Sequence, residues 1–388
     1  MIFLVVYGII PISAEKARFC LNKSENMENL IKVIFAFGLI IGAFVFLPNI
    51  VAFGLGIGGG TVGTLSVRGG ETPGLISISF DGGETFKEAA VFAPGAPSVL
   101  NIDSVGGIRG AAFSNRTFYA GTDQGILISK DNGLSWYNFT DLQKNIDGVT
   151  VIYDFAFNPV DGSIYASGVK NGHGVVFKTT DNFFTAMPIW TEPDQPVRAI
   201  AADYNFLYIG VSDGRLLRYS YSGGQFEKIK NFSSGIQGLN LADGGKSILA
   251  VLGSGEAMKS NDFGSSWESM KSTGNNNNIA YFSGQGLDLA PDKGNPSVIY
   301  LASASGIFRS TNQGESWNGL NTILPNRAPI GAISADNGSI FVTTGSKLYK
   351  SGDGGANWKI KEPMPTTRRL GSLYVDNSGK LVIVGTNK

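Results

Sequence analysis

Ser129-Lys130-Asp131-Asn132-Gly133-Leu134-Ser135-Trp136 is the stretch whose reading decides the fold, because it recurs. Its pattern, Ser/Thr-x-Asp-x-Gly-x-x-aromatic, returns as Ser79–Phe86 around Asp81, as Ser260–Trp267 around Asp262 and as Ser351–Trp358 around Asp353. Ser310–Trp317 carries Asn312 in place of the aspartate. Two copies are degraded. Thr179–Phe183, around Asp181, lacks the glycine, and Ser220–Phe226 is one residue short. The aromatic position holds Trp136, Trp267, Trp317 and Trp358, which are four of the five tryptophans. Positions 81, 131, 181, 222, 262, 312 and 353 are separated by 50, 50, 41, 40, 50 and 41 residues. A period of this length signals a solenoid or a propeller.

Inside the box, a short carboxylate or amide accepts hydrogen bonds from backbone N–H groups just downstream and closes a turn. Glycine supplies a positive φ there without a steric penalty, and the aromatic packs back as the next strand begins. Around each box runs one strand rhythm. The clearest example is 109–113, 117–121, 125–129 and 136–139, and it recurs at 286–291, 298–303 and 306–310. Four short β-rich segments per unit and seven units describe an all-β, seven-bladed propeller of four-stranded antiparallel blades. The first box is preceded only by Gly74–Ile78, whereas Leu370–Val375 and Lys380–Gly385 are spare after the last. One blade should therefore mix residues of about 370–388 with about 74–92, which removes the free sheet edge and joins the chain ends.

Composition agrees. The 388 residues include 53 glycines, about 14% against a usual ~7%, as a turn-rich β protein requires. Lysine plus arginine and aspartate plus glutamate both number 31. That balance, without basic runs, argues against an electrostatic grip on nucleic acid. One cysteine, Cys20, excludes a disulfide framework, and one histidine, His173, excludes multi-histidine metal sites; His173 reads as a turn residue. No cofactor or metal is expected.

The N-terminal part carries the compartment signal. Residues 33–47 are uniformly apolar, and no charge occurs between Lys32 and Arg68. The segment 27–56 thus reads as a transmembrane anchor, with a cleaved signal segment as the alternative. Lys32 ahead of it places the C-terminal remainder of the chain outside the cytoplasm. Residues 1–26 read as disordered or as upstream of a truer start at Met27. The stretch 57–73 reads as a glycine-rich tether, since its GLGIGGG run lacks the ending of a phosphate loop. The propeller then occupies 74–388, tethered or secreted, and the chain is expected to be a monomer.

These repeats resemble the BNR, or Asp-box, repeats of sialidases, sortilin-type receptors, xyloglucan-active glycosidases and photosystem II stability/assembly factors. The resemblance covers about residues 70–388. One seven-bladed domain behind an apolar N-terminal segment looks most like the assembly-factor branch. That resemblance implies a non-catalytic scaffold that holds a protein partner, such as a membrane complex, on one propeller face. The Phe-Arg-Ile-Pro element of sialidases is missing, arginines are few, and no Glu–Tyr pair stands in a comparable context.

Two constellations invite function. Asp154, Asn240 and Asp288 align at one level of the inner strands and should face the central channel. Paired carboxylates there would suit a glycoside hydrolase, although a water-filled channel tolerates such residues without chemistry. Arg109 and Arg198 stand at equivalent inner-strand starts, and Arg327, Arg368 and Arg369 lie in loops leading into inner strands. All five should share one face and suit carboxylates of an acidic partner loop, with Trp190, Glu192 and Asp194 nearby. Solvated charges and local pairing are the simpler reading. A glycan-binding adhesin is the further alternative.

Overall fold

The computed structural model describes residues 76–92, 107–114, 116–138, 149–270, 288–303, 306–320, 324, 330–363, 369–376 and 378–386. The expectations for 1–26, 27–56 and 57–73, and those for Arg327 and Arg368, fall outside these residues. Among the described residues no helix is long and apolar enough to cross a membrane.

The chain opens with β1 (Ile76–Ser79), β2 (Lys87–Glu88) and β3 (Ala90–Phe92). It continues with β4 (Ile108–Ser114), β5 (Thr117–Thr122), β6 (Gly125–Ser129) and β7 (Ser135–Asn138). The next unit is β8 (Val149–Phe157), β9 (Ile164–Lys170), β10 (His173–Thr179) and β11 (Met187–Glu192). Then follow β12 (Val197–Ala202), β13 (Phe206–Val211), β14 (Arg215–Ser220) and β15 (Phe226–Asn231). A fifth run holds β16 (Ile236–Ala242), β17 (Ser247–Leu252), β18 (Ala257–Ser260) and β19 (Glu268–Ser269). A sixth holds β20 (Asp288–Pro291), β21 (Ile299–Ser303), β22 (Gly306–Ser310) and β23 (Asn318–Gly319). The chain ends with β24 (Ile330–Asp336), β25 (Ser339–Thr344), β26 (Lys347–Ser351), β27 (Lys359–Lys361), β28 (Leu370–Val375) and β29 (Val382–Thr386).

These strands form seven sheets. Blade 1 has the order β28-β29-β1-β2 from the axis outward, and blades 2 to 7 begin at β4, β8, β12, β16, β20 and β24. Each inner strand touches those of both neighbouring blades, so the ring is closed. The hydrophobic core is divided to match, with one cluster at each blade-to-blade interface. Second strands are therefore buried on both faces, as in β5 and β17, whose residues are buried throughout. Such strands read as continuous apolar runs rather than alternating ones.

The closing blade combines both chain ends as expected. Ile76, Ser77, Ile78 and Ser79 pair with Gly385, Val384, Ile383 and Val382. Ser77 Oγ also donates to the Pro363 carbonyl at 2.8 Å, and Glu84 receives Lys350 and Lys361 of blade 7 at 3.0 and 2.7 Å. One part of the expectation is corrected. Residues 90–92 leave the mixed blade and add to blade 2 as a fifth strand, β3, which runs parallel to β7. The Ala90 N–H donates to Leu134 O at 3.1 Å, and Phe92 stacks on Tyr137 with ring centroids 5.5 Å apart. Blade 2 offers an outer edge with an aromatic ready to be covered.

Each box folds as its chemistry dictates. In blade 2, Ser129 Oγ donates to Asp131 Oδ1 at 2.8 Å and accepts from the Gly133 N–H at 2.9 Å. Asp131 accepts in turn from the Ser135 N–H at 2.9 Å and from the Ser135 hydroxyl. Trp136 Nε1 donates to Gly133 O at 2.8 Å, and Trp267, Trp317 and Trp358 repeat that bond to Gly264, Gly314 and Gly355. The Ser266 hydroxyl and N–H hold the Asp262 carboxyl down at about 2. Asn312 replaces the acid without breaking the turn, because its Oδ1 still accepts from the Ser316 N–H at 2.9 Å.

The copy without glycine is intact, which the sequence pattern does not suggest. Thr179 Oγ1 bonds Asp181 at 2.8 Å and accepts from the Phe183 N–H at 3.0 Å. Phe183 stands where the other copies have glycine, at φ 65°. Its ring is fully buried in the interface between blades 2 and 3, while Ala186 occupies the tryptophan position. The aromatic bulk has moved three residues upstream. The Ser220–Phe226 copy is a plain hairpin instead, closed by the Gly224 N–H donating to Ser220 O at 2.9 Å.

Two measurements check this architecture. Removing residues 381–388 deletes β29, the strand that links β1 to β28, and should abolish the cooperative thermal transition of the whole ring; an unchanged melting temperature would rule the clasp out. Phe183→Gly should cost about 3–5 kcal/mol in chemical denaturation through the cavity it leaves. Adding Ala186→Trp should recover a large part of that loss.

Candidate functional site

Seven inner strands surround a channel of ≈ 430 Å³, and all seven blades contribute lining residues. Its mouth is built by a repeated backbone irregularity. The register of the inner strand against its neighbour slips between Ile108 and Gly110, Ile152 and Asp154, and Val197 and Ala199. It slips likewise between Ile236 and Gly238, Ile330 and Ala332, and Leu370 and Ser372. The extra residue in each bulge is Arg109, Tyr153, Arg198, Gln237, Gly331 or Gly371, and all six line the channel. A β-bulge re-aims the side chain it carries. Here it turns long polar side chains toward the mouth on blades 2 to 5, whereas blades 7 and 1 present glycine.

The structure thus brings Arg109 and Arg198 to one mouth, and Arg369 lies exposed directly before β28 on the same side. Their environments differ. Arg109 Nε is 2.7 Å from Asp123 Oδ1, and Asp123 is itself held by the Gly107 N–H at 2.9 Å. Arg198 has no carboxylate partner among the described residues; its guanidinium lies over the Tyr153 ring, 5.0 Å from the centroid. Stacking of this kind holds a guanidinium in place without neutralising it. Of the neighbouring acids, Glu192 and Asp213 are held by Arg215 at 2.7 and 2.6 Å. Asp194 is exposed, and Trp190 packs on Phe226 at 4.8 Å.

Asp154 and Asp288 line the channel one residue below the bulge level, and both act as staples. Asp154 Oδ1 accepts from the Phe155 N–H at 2.8 Å, and Oδ2 accepts from Ile200 of the next blade at 3.0 Å. Asp288 repeats this with Leu289 at 2.8 Å and with Ile333 of the next blade at 2.8 Å. Asn240 staples too, through Nδ2 to Leu289 O at 2.9 Å. Its expected level is corrected: the bulge at Gln237 makes Gly238 the counterpart of Asp154, and Asn240 lies two residues deeper. Burial pushes the Asp154 carboxyl up to about 7 against its two N–H bonds, with the charge of Asp288 adding to the rise. Burial pushes Asp288 up to about 6.

At the far end, Lys293 follows β20 and reaches blade 1. Its ammonium donates to Val375 O and lies 5.6 Å from the Tyr374 ring centroid. Burial holds its pKa below the ordinary lysine value, while Asp336 and Asp376 oppose that shift. Tyr153 and Lys293 escaped the sequence reading. Tyr153 sits at the alignment position of Arg109 and Arg198, which was the available signal; the reach of Lys293 had none.

A stability measurement follows from the two raised carboxyls. Their folded-state values lie above the ordinary 3.8. The stability they contribute is fully present below that pH and is lost as pH rises through about 6 to 7. The melting temperature should fall from pH 5 to pH 8. Asp154→Asn with Asp288→Asn should lower the melting temperature overall and flatten that slope.

Comparisons with known proteins match the ring. No family model matches the chain. A xyloglucanase of Hypocrea jecorina (strain QM6a) is 31% identical over 109 residues, which is 26% of this chain and 13% of that protein. Among solved structures, the GH74 xyloglucanase from Xanthomonas campestris superposes with TM-score 0.56 at 17% identity, covering 73% of this chain and 51% of that one. YCF48 from Cyanidioschyzon merolae gives 0.54 at 13% identity, covering 72% and 96%. YCF48 bound to D1 peptide gives 0.56 at 15% identity, covering 73% and 94%. The chain thus spans about half of the structural xyloglucanase and nearly all of each YCF48 chain, and at these identities the likeness speaks for the seven-bladed fold.

Proposed function

We propose that this chain is an Asp-box propeller of the assembly-factor type, a non-catalytic scaffold that holds a protein partner at the channel mouth. The observation that carries this reading is Arg198, a guanidinium fixed on Tyr153 at the mouth and left without a carboxylate among the described residues. A preplaced, unneutralised fork is suited to a carboxylate of an incoming polypeptide. Arg109 and Arg369 extend the positive rim, and Arg327 and Arg368 belong to the same proposal through their place in the sequence. YCF48, which shares the fold, has been captured with a D1 peptide. The apolar segment 33–47 and Lys32 support a membrane tether with the ring on the extracytoplasmic side. A membrane complex is then the natural source of the partner.

A second reading, a glycoside hydrolase, is favoured by the xyloglucanase match and by two carboxylates in the channel. Against it, both oxygens of Asp154 and of Asp288 already accept backbone N–H bonds. Their blades also stand three apart around the ring.

The test is affinity capture with crosslinking from source membranes. Arg198→Glu should abolish capture of a defined partner at unchanged melting temperature. Arg109→Glu alone should weaken it less, because Asp123 already occupies that side chain. Capture that is indifferent to Arg198→Glu would sink the reading; xyloglucan cleavage lost in Asp154→Asn or Asp288→Asn would replace it with the hydrolase.

A further inference from the structure

The charges along the channel do not balance locally, and the imbalance has a shape. At the mouth, Asp123 has Arg109. At the far end, Asp336 and Asp376 have the Lys293 ammonium in their field. Between them Asp154 and Asp288 line the wall, and among the described residues no cation pairs with either. Each receives only N–H dipoles, burial disfavours the charged form of both, and Asp288 adds to that effect at Asp154. Arg109, Arg198 and Lys293 line the same channel, but among the described residues none of them pairs with Asp154 or Asp288, so the wall carries two half-buried acids without a partner cation.

We infer that the channel is a socket for one lysine or arginine side chain of the partner polypeptide, whose cation settles between Asp154 and Asp288. This deepens the partner-binding reading and rests on it. The cavity is large enough for an extended aliphatic stem. Each carboxylate oxygen has a lone pair left after its one N–H bond, and an ammonium or guanidinium brings donors to use it. A bare metal ion fits less well, since among the described residues no three His, Cys, Asp or Glu side chains gather there. The molecule also shows the same chemistry on its own axis, where the Lys293 side chain lies against a tyrosine ring and a carbonyl at the far end. Tyr153 at the mouth gives an entering stem an aromatic wall, and Arg198 beside it meets a carboxylate near the basic residue. The partner segment is therefore one in which a lysine or arginine lies close to an acidic residue.

The test uses small probes on the full chain, independent of any partner. Nα-acetyl-lysine amide, Nα-acetyl-arginine amide and Nα-acetyl-norleucine amide are titrated by ligand-observed NMR. The two basic probes should bind and norleucine amide should not. Affinity should weaken by about tenfold or more between pH 8 and pH 5 as both carboxyls take protons. Ser334→Lys, on the lining strand β24, puts a cation into the space and should block the basic probes, whereas Ser334→Gln controls for bulk. Equal binding of norleucine amide, pH-independent binding or no binding of the basic probes would overturn the socket. Should Ser334→Lys fail to fold, the pH series decides alone. Loss of partner capture in Arg198→Glu together with silent probes would leave the mouth reading standing and remove the socket.

Discussion

The ladder between Ile76–Ser79 and Val382–Thr386 is the interaction on which everything else rests. A propeller blade is buried on both faces, so a ring with an open seam would expose two interfaces at once. Here the seam lies inside a blade rather than between blades. Its closure is enforced by backbone hydrogen bonds, by the apolar clusters on either side and by Glu84 gripping two lysines of blade 7. The inner strands are held in a circle only because this ladder forms, and the mouth, with its bulges, exists only because the inner strands are in a circle.

Once the circle is closed, polar side chains take structural roles that look like chemistry. Asp154, Asn240 and Asp288 each tie one inner strand to the next blade through backbone groups that apolar neighbours leave unmatched. Desolvation is the cost of that position, and it makes carboxyls resemble catalytic acids by their titration alone. Geometry separates the two roles. Each oxygen accepts one backbone N–H, from its own strand or from the next blade, and that bond is the structural role.

The seven units and the mixed blade were legible because the box repeats at a fixed spacing and because strands can be counted on either side of it. The box itself was legible down to its serine and its tryptophan. What escaped were exchanges between positions. Phe183 and Ala186 swap glycine and aromatic roles, so a pattern search scores the copy as broken although its turn is whole. The strand at 90–92 has the same apolar look whichever blade it joins, and only the open edge beside Tyr137 decides. Asn240 lies two residues deeper than its apolar-polar-apolar neighbourhood suggested, because the bulge that marks the true register leaves no trace in composition. At the mouth, the equivalent starts of Arg109 and Arg198 were readable, but the difference between a paired and an unpaired guanidinium depends on Asp123, a loop residue fourteen positions away.

The antiparallel seam also sets how the ring would bear a mechanical load. Ile76 pairs with Gly385, so both chain ends leave the ring at one point, on the mouth side. Tension on the chain ahead of Ile76, opposed by a body seated on the ring, acts along the axis of β1. The strand is bonded to β29 on one side and to β2 on the other, so such a pull loads all those bonds together, in shear. Tension between the two ends would instead peel the ladder one pair at a time. The same four-residue strand is thus strong against one direction of pull and weak against the other.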